Sequence, residues 1–200
     1  MAPMITAIVL AAGTSSRLGR PKQLLDLGGT PLLQHVLDAA ERAPVDEVIL
    51  VLGHRWDAIA AVLRLGSRTR TVINHDYDAG QSGSLRAGLM AANVRSEGAL
   101  VLLGDQPLVR ADAVAAVVTA YRSGAGPIVQ ASYEGRPAHP TLLDRSLWPE
   151  LIAGTGDEGA RSMLERYPGR RVLVEMGGTP PVDVDTEGDY RRIRSLFEAQ

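Results

Sequence analysis

The chain has 200 residues, 45% of them hydrophobic, with 21 Lys and Arg against 23 Asp and Glu, a formal charge of −2, and no cysteine. This balance argues against a general nucleic-acid or anionic-membrane surface, and the lack of cysteine removes disulfides, thiolate metal sites and a cysteine nucleophile, so any metal must take oxygen or histidine ligands. The length suits one domain over residues 1–200; no apolar run approaches the roughly 18 residues of a membrane span and no signal-peptide pattern is seen, so a cytoplasmic protein is expected.

Aromatic residues are scarce at 4%, which suits helices packed closely on a parallel sheet covered on both faces. An apolar run over residues 5–10 predicts a buried strand that ends in Leu10, Ala11, Ala12 and Gly13. Thr14, Ser15 and Ser16 follow, then Arg17, Arg20 and Lys22. Free backbone N–H groups next to mobile cations suit a polyphosphate, whose oxygens only accept hydrogen bonds. The same residues also read as a strand-to-helix turn with a solvated basic face. The glycine spacing is neither that of a Walker A loop nor GxGxxG, which argues against a P-loop NTPase and a dinucleotide-binding oxidoreductase.

Beyond a short apolar stretch at residues 23–27, the turn Gly28-Gly29-Thr30-Pro31 places Pro31 at the first position of a helix that stops before Pro44. A strand is predicted over residues 46–52, a helix over 56–65, a strand over 71–74 and a helix over about 84–92. A buried strand over 99–103 then runs into Gly104-Asp105-Gln106-Pro107, and a helix spans 111–122. This alternation argues for a mostly parallel sheet whose ligand crevice lies outside the carboxyl ends of the strands. Residues 80–84, a small polar turn, suit either a helix cap or a nucleobase or ribose. Asp105 stands at a carboxyl strand end, where it could cap a helix but better suits Mg²⁺ shared with substrate phosphates.

From Gly126 the rhythm changes. A strand over residues 127–133, a turn over 134–137 and a returning strand over 139–143 predict an antiparallel addition. His139, between Ala138 and Pro140, is a candidate substrate contact or an ordinary structural histidine. A short helix over 147–152 precedes a helix over 157–167 opening on GDEGAR, where Asp157 and Arg161 suit an anion site or a plain cap with a helix-face cation. A strand over 171–174 follows. In the stretch VDVDT the alternation points Asp183 and Asp185 the same way, and a last helix starts at Glu187.

In order, LAAGTSSRLGRPKQLL, NHDYDAGQSGSLRAGL, LLGDQPLV, GRPAHPTLL, GDEGAR and DVDTEGDY closely resemble the molybdopterin nucleotidyltransferase-like family, and within it the molybdenum cofactor cytidylyltransferase branch. The resemblance covers nearly the whole chain. It implies an α/β, three-layer αβα Rossmann-like fold, Mg²⁺ as cofactor, and attack of a phosphate monoester on the α-phosphate of an NTP with release of pyrophosphate. Leu10, Ala11, Ala12 and Gly13 would then hold the nucleotide by backbone, Arg17 and Lys22 would offset triphosphate charge, and Asn74, Gly83 and Ser84 would lie near the nucleoside. Asp105 and Asp185 would hold the metal, and His139, Asp157 and Arg161 would lie on the acceptor side. The departures are Leu18, where Met is usual, and Gly188, where Glu is usual.

Within the resemblance, Ala-Ala-Gly favours CTP where guanylyl members carry Ala-Gly-Gly, the Ala12 methyl crowding a purine. The expected acceptor is a molybdopterin-type phosphate and the expected recipient of the product a molybdenum hydroxylase. A guanylyltransferase, a transferase acting on another small phosphate monoester, and a non-catalytic molybdenum cofactor carrier are the alternatives.

Overall fold

The strand Ile5–Ala11 (β1) is buried on both faces and anchors everything that follows. The computed structural model describes residues 2–154, 164 and 167–198. Along the chain come Asp26–Leu27 (β2), Thr30–Pro31 (β3), Leu32–Arg42 (α1), Glu47–Leu52 (β4), Trp56–Ala60 (α2), Thr69–Ile73 (β5), Gln81–Ala91 (α3) and Gly98–Leu103 (β6). Then follow Ala111–Arg122 (α4), Ile128–Tyr133 (β7), Arg136–Asp144 (β8), Trp148–Ala153 (α5), Arg171–Met176 (β9) and Glu187–Glu198 (α6).

Among the described residues seven strands form one sheet in the order β5-β4-β1-β6-β8-β7-β9, with β2 and β3 a separate hairpin. All pairs are parallel except those of β8, which runs antiparallel to both β6 and β7. The expected mostly parallel sheet with an antiparallel addition is therefore present.

Alternation along the strands feeds two apolar layers. Ala7, Val9, Val48 and Leu50 pack with Leu33, Val36 and Leu37 of α1 and Val114, Val117 and Val118 of α4. Ile8, Ile49 and Val51 pack on the other face with Leu85 and Leu89 of α3 and Trp148 and Leu151 of α5. Helices on both faces give the three-layer αβα architecture. A third apolar cluster joins Leu25, Leu27 and Leu32 to Val184, Tyr190 and Ile193, which fastens α6 beside the hairpin, and the Tyr190 hydroxyl donates to the Asp26 carbonyl at 2.9 Å.

Several predicted boundaries move for identifiable reasons. The helix expected over 56–65 ends at Ala60. Buried Gln34 takes the Arg64 N–H onto its Oε1 at 2.8 Å and donates its amide to the Arg64 carbonyl at 3.0 Å, so this backbone is satisfied outside a helix. Pro31 is the N-cap of α1 rather than its first residue. Helix α3 begins at Gln81, earlier than expected, directly after Gly80 at φ 105°, a conformation that favours glycine. Residues 182–186 join no sheet. The helix expected over 157–167, with Asp157 and Arg161, falls largely outside the described residues. Among the described residues no helix is long and apolar enough to cross a membrane.

Gly88 sets how closely α3 approaches the sheet, because a Cβ there would lie 2.5 Å from Ile8 Cγ2 and 3.3 Å from Val51 Cγ2. Alanine gains about 1 kcal/mol of helix propensity, whereas overpacking a rigid core costs about 1–3 kcal/mol. With β-branched, fully buried neighbours the clash wins, and Gly88→Ala is expected to lower the urea midpoint.

Candidate active site

The carboxyl ends of β1, β4 and β6 come together with almost no side chain between them. A Cβ on Gly53 would lie 2.6 Å from Tyr77 Cβ and 2.8 Å from the Ala12 carbonyl, and one on Gly104 would lie 2.8 Å from Ala11 Cβ and 2.9 Å from the Leu10 carbonyl. Beyond these strand ends opens a cleft of about 430 Å³, lined by residues 10–14, Lys22, Tyr77, Gln81, Ser84 and Asp105 among others. A smaller one of about 190 Å³, lined by Ser15, Ser16, Arg17 and Asp185, shares Gly13 and Lys22 with it. This is the crevice expected at the end of an open parallel sheet.

The loop between them is held from behind. Buried Gln23 donates its amide to the carbonyls of Ala11 at 2.9 Å and Gly13 at 3.2 Å. Ser15, at φ 57°, accepts the Lys22 N–H on its hydroxyl at 3.0 Å. The Ala11 and Gly13 carbonyls are thus occupied by protein.

Lys22 is the electrostatic centre. Its Nζ donates to Asp105 Oδ2 at 2.6 Å and to Asp185 Oδ1 at 2.8 Å, and Arg17 Nη1 reaches Asp185 Oδ2 at 3.1 Å. Arg20 turns away to Glu187 at 2.8 Å and to the Tyr190 ring. Asp183 accepts from Gln106 Nε2 at 2.7 Å, and the buried Val184 between the two aspartates donates its N–H to the Asp105 carbonyl at 3.0 Å. Burial raises the Asp105 carboxyl above its usual range; Lys22 offsets part of this, and the charges of Asp183 and Asp185 add to it. Burial pulls the Lys22 ammonium down, but Asp105 and then Asp185 outweigh it and hold Lys22 above its ordinary value. The two rises have different causes: burial dominates at Asp105, and the paired carboxylates dominate at Lys22.

Asp105 Oδ1 is buried and has no hydrogen-bond partner. A hard oxygen left unsatisfied beside a second carboxylate fits a divalent cation such as Mg²⁺ or Mn²⁺. Among the described residues no group of three or more His, Cys, Asp and Glu is placed to hold an ion, so Asp105 and Asp185 suit a cation completed by substrate oxygens rather than a protein cage.

The remaining expected site residues divide. Ser84 lines the larger cleft and its hydroxyl accepts from Asn74 Nδ2 at 3.1 Å, while Asn74 Oδ1 accepts the Asp76 N–H at 3.1 Å. Gly83 lies beside them in the first turn of α3. Asn74 and Gly83 therefore back the cleft wall that Ser84 presents. His139 is on β8, next to the carboxyl end of β6, with Nδ1 3.3 Å from the Val101 carbonyl, and it lines neither cleft. Gln23, Tyr77 and Asp183 also belong to the site, though no sequence motif singles them out. The signal for Gln23 is a polar residue opening the short apolar stretch at residues 23–27; that for Asp183 is its shared alternation phase with Asp185.

A sequence profile of the MobA-like NTP transferase domain matches residues 7–172. Nicotine blue oxidoreductase of Paenarthrobacter nicotinovorans is 36% identical over 203 residues, covering 94% of this chain and 96% of that protein. The crystal structure of Rv0371c from Mycobacterium tuberculosis H37Rv is similar with a TM-score of 0.87 at 34% identity, over 98% of this chain and 99% of that one. Its manganese complex gives 0.82 at 32%, over 98% and 100%. A nucleotidyl transferase from Methanothermobacter thermautotroptrophicus gives 0.78 at 28%, over 98% of each chain.

A carboxyl whose pKa is raised on folding adds stability below its unfolded pKa, and that stability is lost as pH rises through the folded value. Ionisation of Asp105 therefore opposes folding as pH rises through its folded pKa. Asp105→Asn is expected to melt no lower than the wild type near neutral pH, with any gain shrinking as pH falls to about 4, the ordinary range of aspartate; thermal melts at both pH values check this.

Proposed function

The chain belongs to the MobA-like NTP transferase family, and from that premise we propose that this single nucleotidyltransferase domain transfers CMP from CTP to the terminal phosphate of a molybdopterin-type cofactor. The family supports an enzyme of nucleotidyl transfer. The observation that carries it is Lys22 joined to both Asp105 and Asp185 where the two clefts meet.

In this proposal the backbone of Leu10, Ala11, Ala12 and Gly13 receives the nucleotide, with Asn74, Gly83 and Ser84 on the nucleoside side. Arg17 and Lys22 draw the triphosphate toward the smaller cleft and offset its charge. An oxygen of the acceptor phosphate forms a bond to the α-phosphorus, the bond from that phosphorus to the bridging oxygen of the β-phosphate breaks, and pyrophosphate leaves with the electron pair. Little covalent help is needed, so positioning and charge neutralisation supply most of the rate. Asp105 and Asp185 are the residues that would hold the divalent ion, Mg²⁺ here, which when bound would neutralise phosphate oxygens and polarise the α-phosphate. The manganese complex of a similar structure supports a divalent cation. His139, Asp157 and Arg161 are assigned to the acceptor side, and the product would pass to a molybdenum hydroxylase.

One observation favours a second reading. The relative called nicotine blue oxidoreductase matches over nearly the whole of both chains, so an oxidoreductase acting on a nicotine-blue-like compound in the same crevice is the competing activity.

Pyrophosphate release measured with each of the four NTPs and molybdenum cofactor, beside dye reduction followed with NADH or NADPH as the electron donor, separates these readings and the guanylyl, other-acceptor and carrier alternatives. The expected result is pyrophosphate with CTP. Asp105→Asn is expected to lose at least about a hundredfold in turnover, the size typical of removing a group that neutralises developing charge, and near-normal turnover would refute the metal role. Lys22→Ala is expected to weaken CTP binding by calorimetry.

A further inference from the structure

Tyr77 is the one aromatic side chain among the described residues lining the larger cleft, in a chain only 4% aromatic. It is half-buried and begins the one-turn 3-10 segment Tyr77–Ala79 after β5. Tyr121, Tyr133 and Trp148 are by contrast buried in the two apolar layers and Tyr190 in the third cluster, while Trp56 is exposed away from the cleft lining. An aromatic ring at an open cleft gives up part of the burial that usually justifies it, unless a flat ligand covers it.

The ring is also held in place. His54 Nδ1 lies 3.4 Å from the Tyr77 hydroxyl, and the two rings meet edge to face at 5.6 Å and 64°. The His54 backbone N–H separately donates to the Ala12 carbonyl at 3.1 Å. Tyr77 Cβ lies so close to Gly53 that a Cβ on that glycine would come within 2.6 Å of it, and Ala12 Cβ within 2.9 Å. Ala12, Gly53, His54 and Tyr77 thus form one packed wall, in which the buried Ala12 methyl and Tyr77 both crowd Gly53.

We propose that Tyr77 is the stacking face for the nucleobase, with its distance from the β1 loop set by Ala12 and Gly53 and its ring held by His54. This rests on the nucleotidyltransferase reading and adds the residue that grips the base. Every base has a π-face, so stacking supplies affinity without discrimination. Discrimination by size then comes from the spacing of the ring, which is how a buried methyl at Ala12 acts on base choice.

The test is calorimetric titration of the full chain with CTP, GTP and inorganic tripolyphosphate, in Mg²⁺ buffer, for the wild type, Tyr77→Leu and Tyr77→Phe, each checked by thermal melt. Tyr77→Leu, which keeps bulk but loses the ring, is expected to weaken CTP by roughly five- to a hundredfold and to leave tripolyphosphate unchanged. Tyr77→Phe, which keeps the ring, is expected to restore most of the CTP affinity. Unchanged CTP affinity in Tyr77→Leu overturns the assignment, as does a parallel loss of tripolyphosphate, which would mark Tyr77 as support for the wall. A wild type that binds tripolyphosphate but no NTP overturns the nucleotidyltransferase reading itself and takes this assignment with it.

Discussion

One ammonium holds the site together. Lys22 meets Asp105 across 83 residues of sequence and Asp185 across 163, joining the loop after β1, the end of β6 and the segment before α6. Carboxylates drawn out of water must be paired, and losing the partner leaves an uncompensated charge. The spacing of the two aspartates is therefore set by a side chain, and that side chain belongs to the loop proposed to receive the triphosphate. Apolar packing does the rest: Val184 is buried with Tyr190 and Ile193, so the hairpin and α6 hold Asp183 and Asp185 toward the same charged point.

A steric constraint complements the electrostatic one. Gly53 and Gly104 flank the end of β1 at distances no Cβ would tolerate. The three strand ends can converge because the backbone there carries nothing, and the resulting crevice has main-chain groups as a large part of its wall. Such a wall suits a ligand recognised through phosphate oxygens and a flat base more than one needing a dense set of specific side chains.

Much of this was legible in the sequence, for physical reasons. Helix α4 spans the predicted residues because its apolar periodicity is uninterrupted, and Asp105 stood out because a carboxylate directly after a buried run has no packing role. What escaped depends on distant contacts. Gln34 ends α2 by binding Arg64 thirty positions later, which no local pattern records. Gln23 looked like part of an apolar stretch because its partners are the carbonyls of Ala11 and Gly13. Tyr77 looked like a loop residue because its neighbours, Gly53 and His54, sit on another strand's end. The antiparallel pair of β7 and β8 was legible as a hairpin, but the place of β8 between β6 and β7 depends on which strand edges remain open.

That placement has a consequence for how the molecule is made. Strands β5, β4, β1 and β6 form a complete parallel set from residues 5–103, but β6 and β7 never pair with each other. While a ribosome is still emitting the chain, β6, buried along most of its length in the finished fold, presents an open apolar edge until β8 arrives some forty residues later. Such edges recruit other strands, including those of neighbouring nascent chains. Synthesis of this protein therefore has a vulnerable interval between the emergence of β6 and the docking of the hairpin, and slow translation across α4 and β7 would lengthen it.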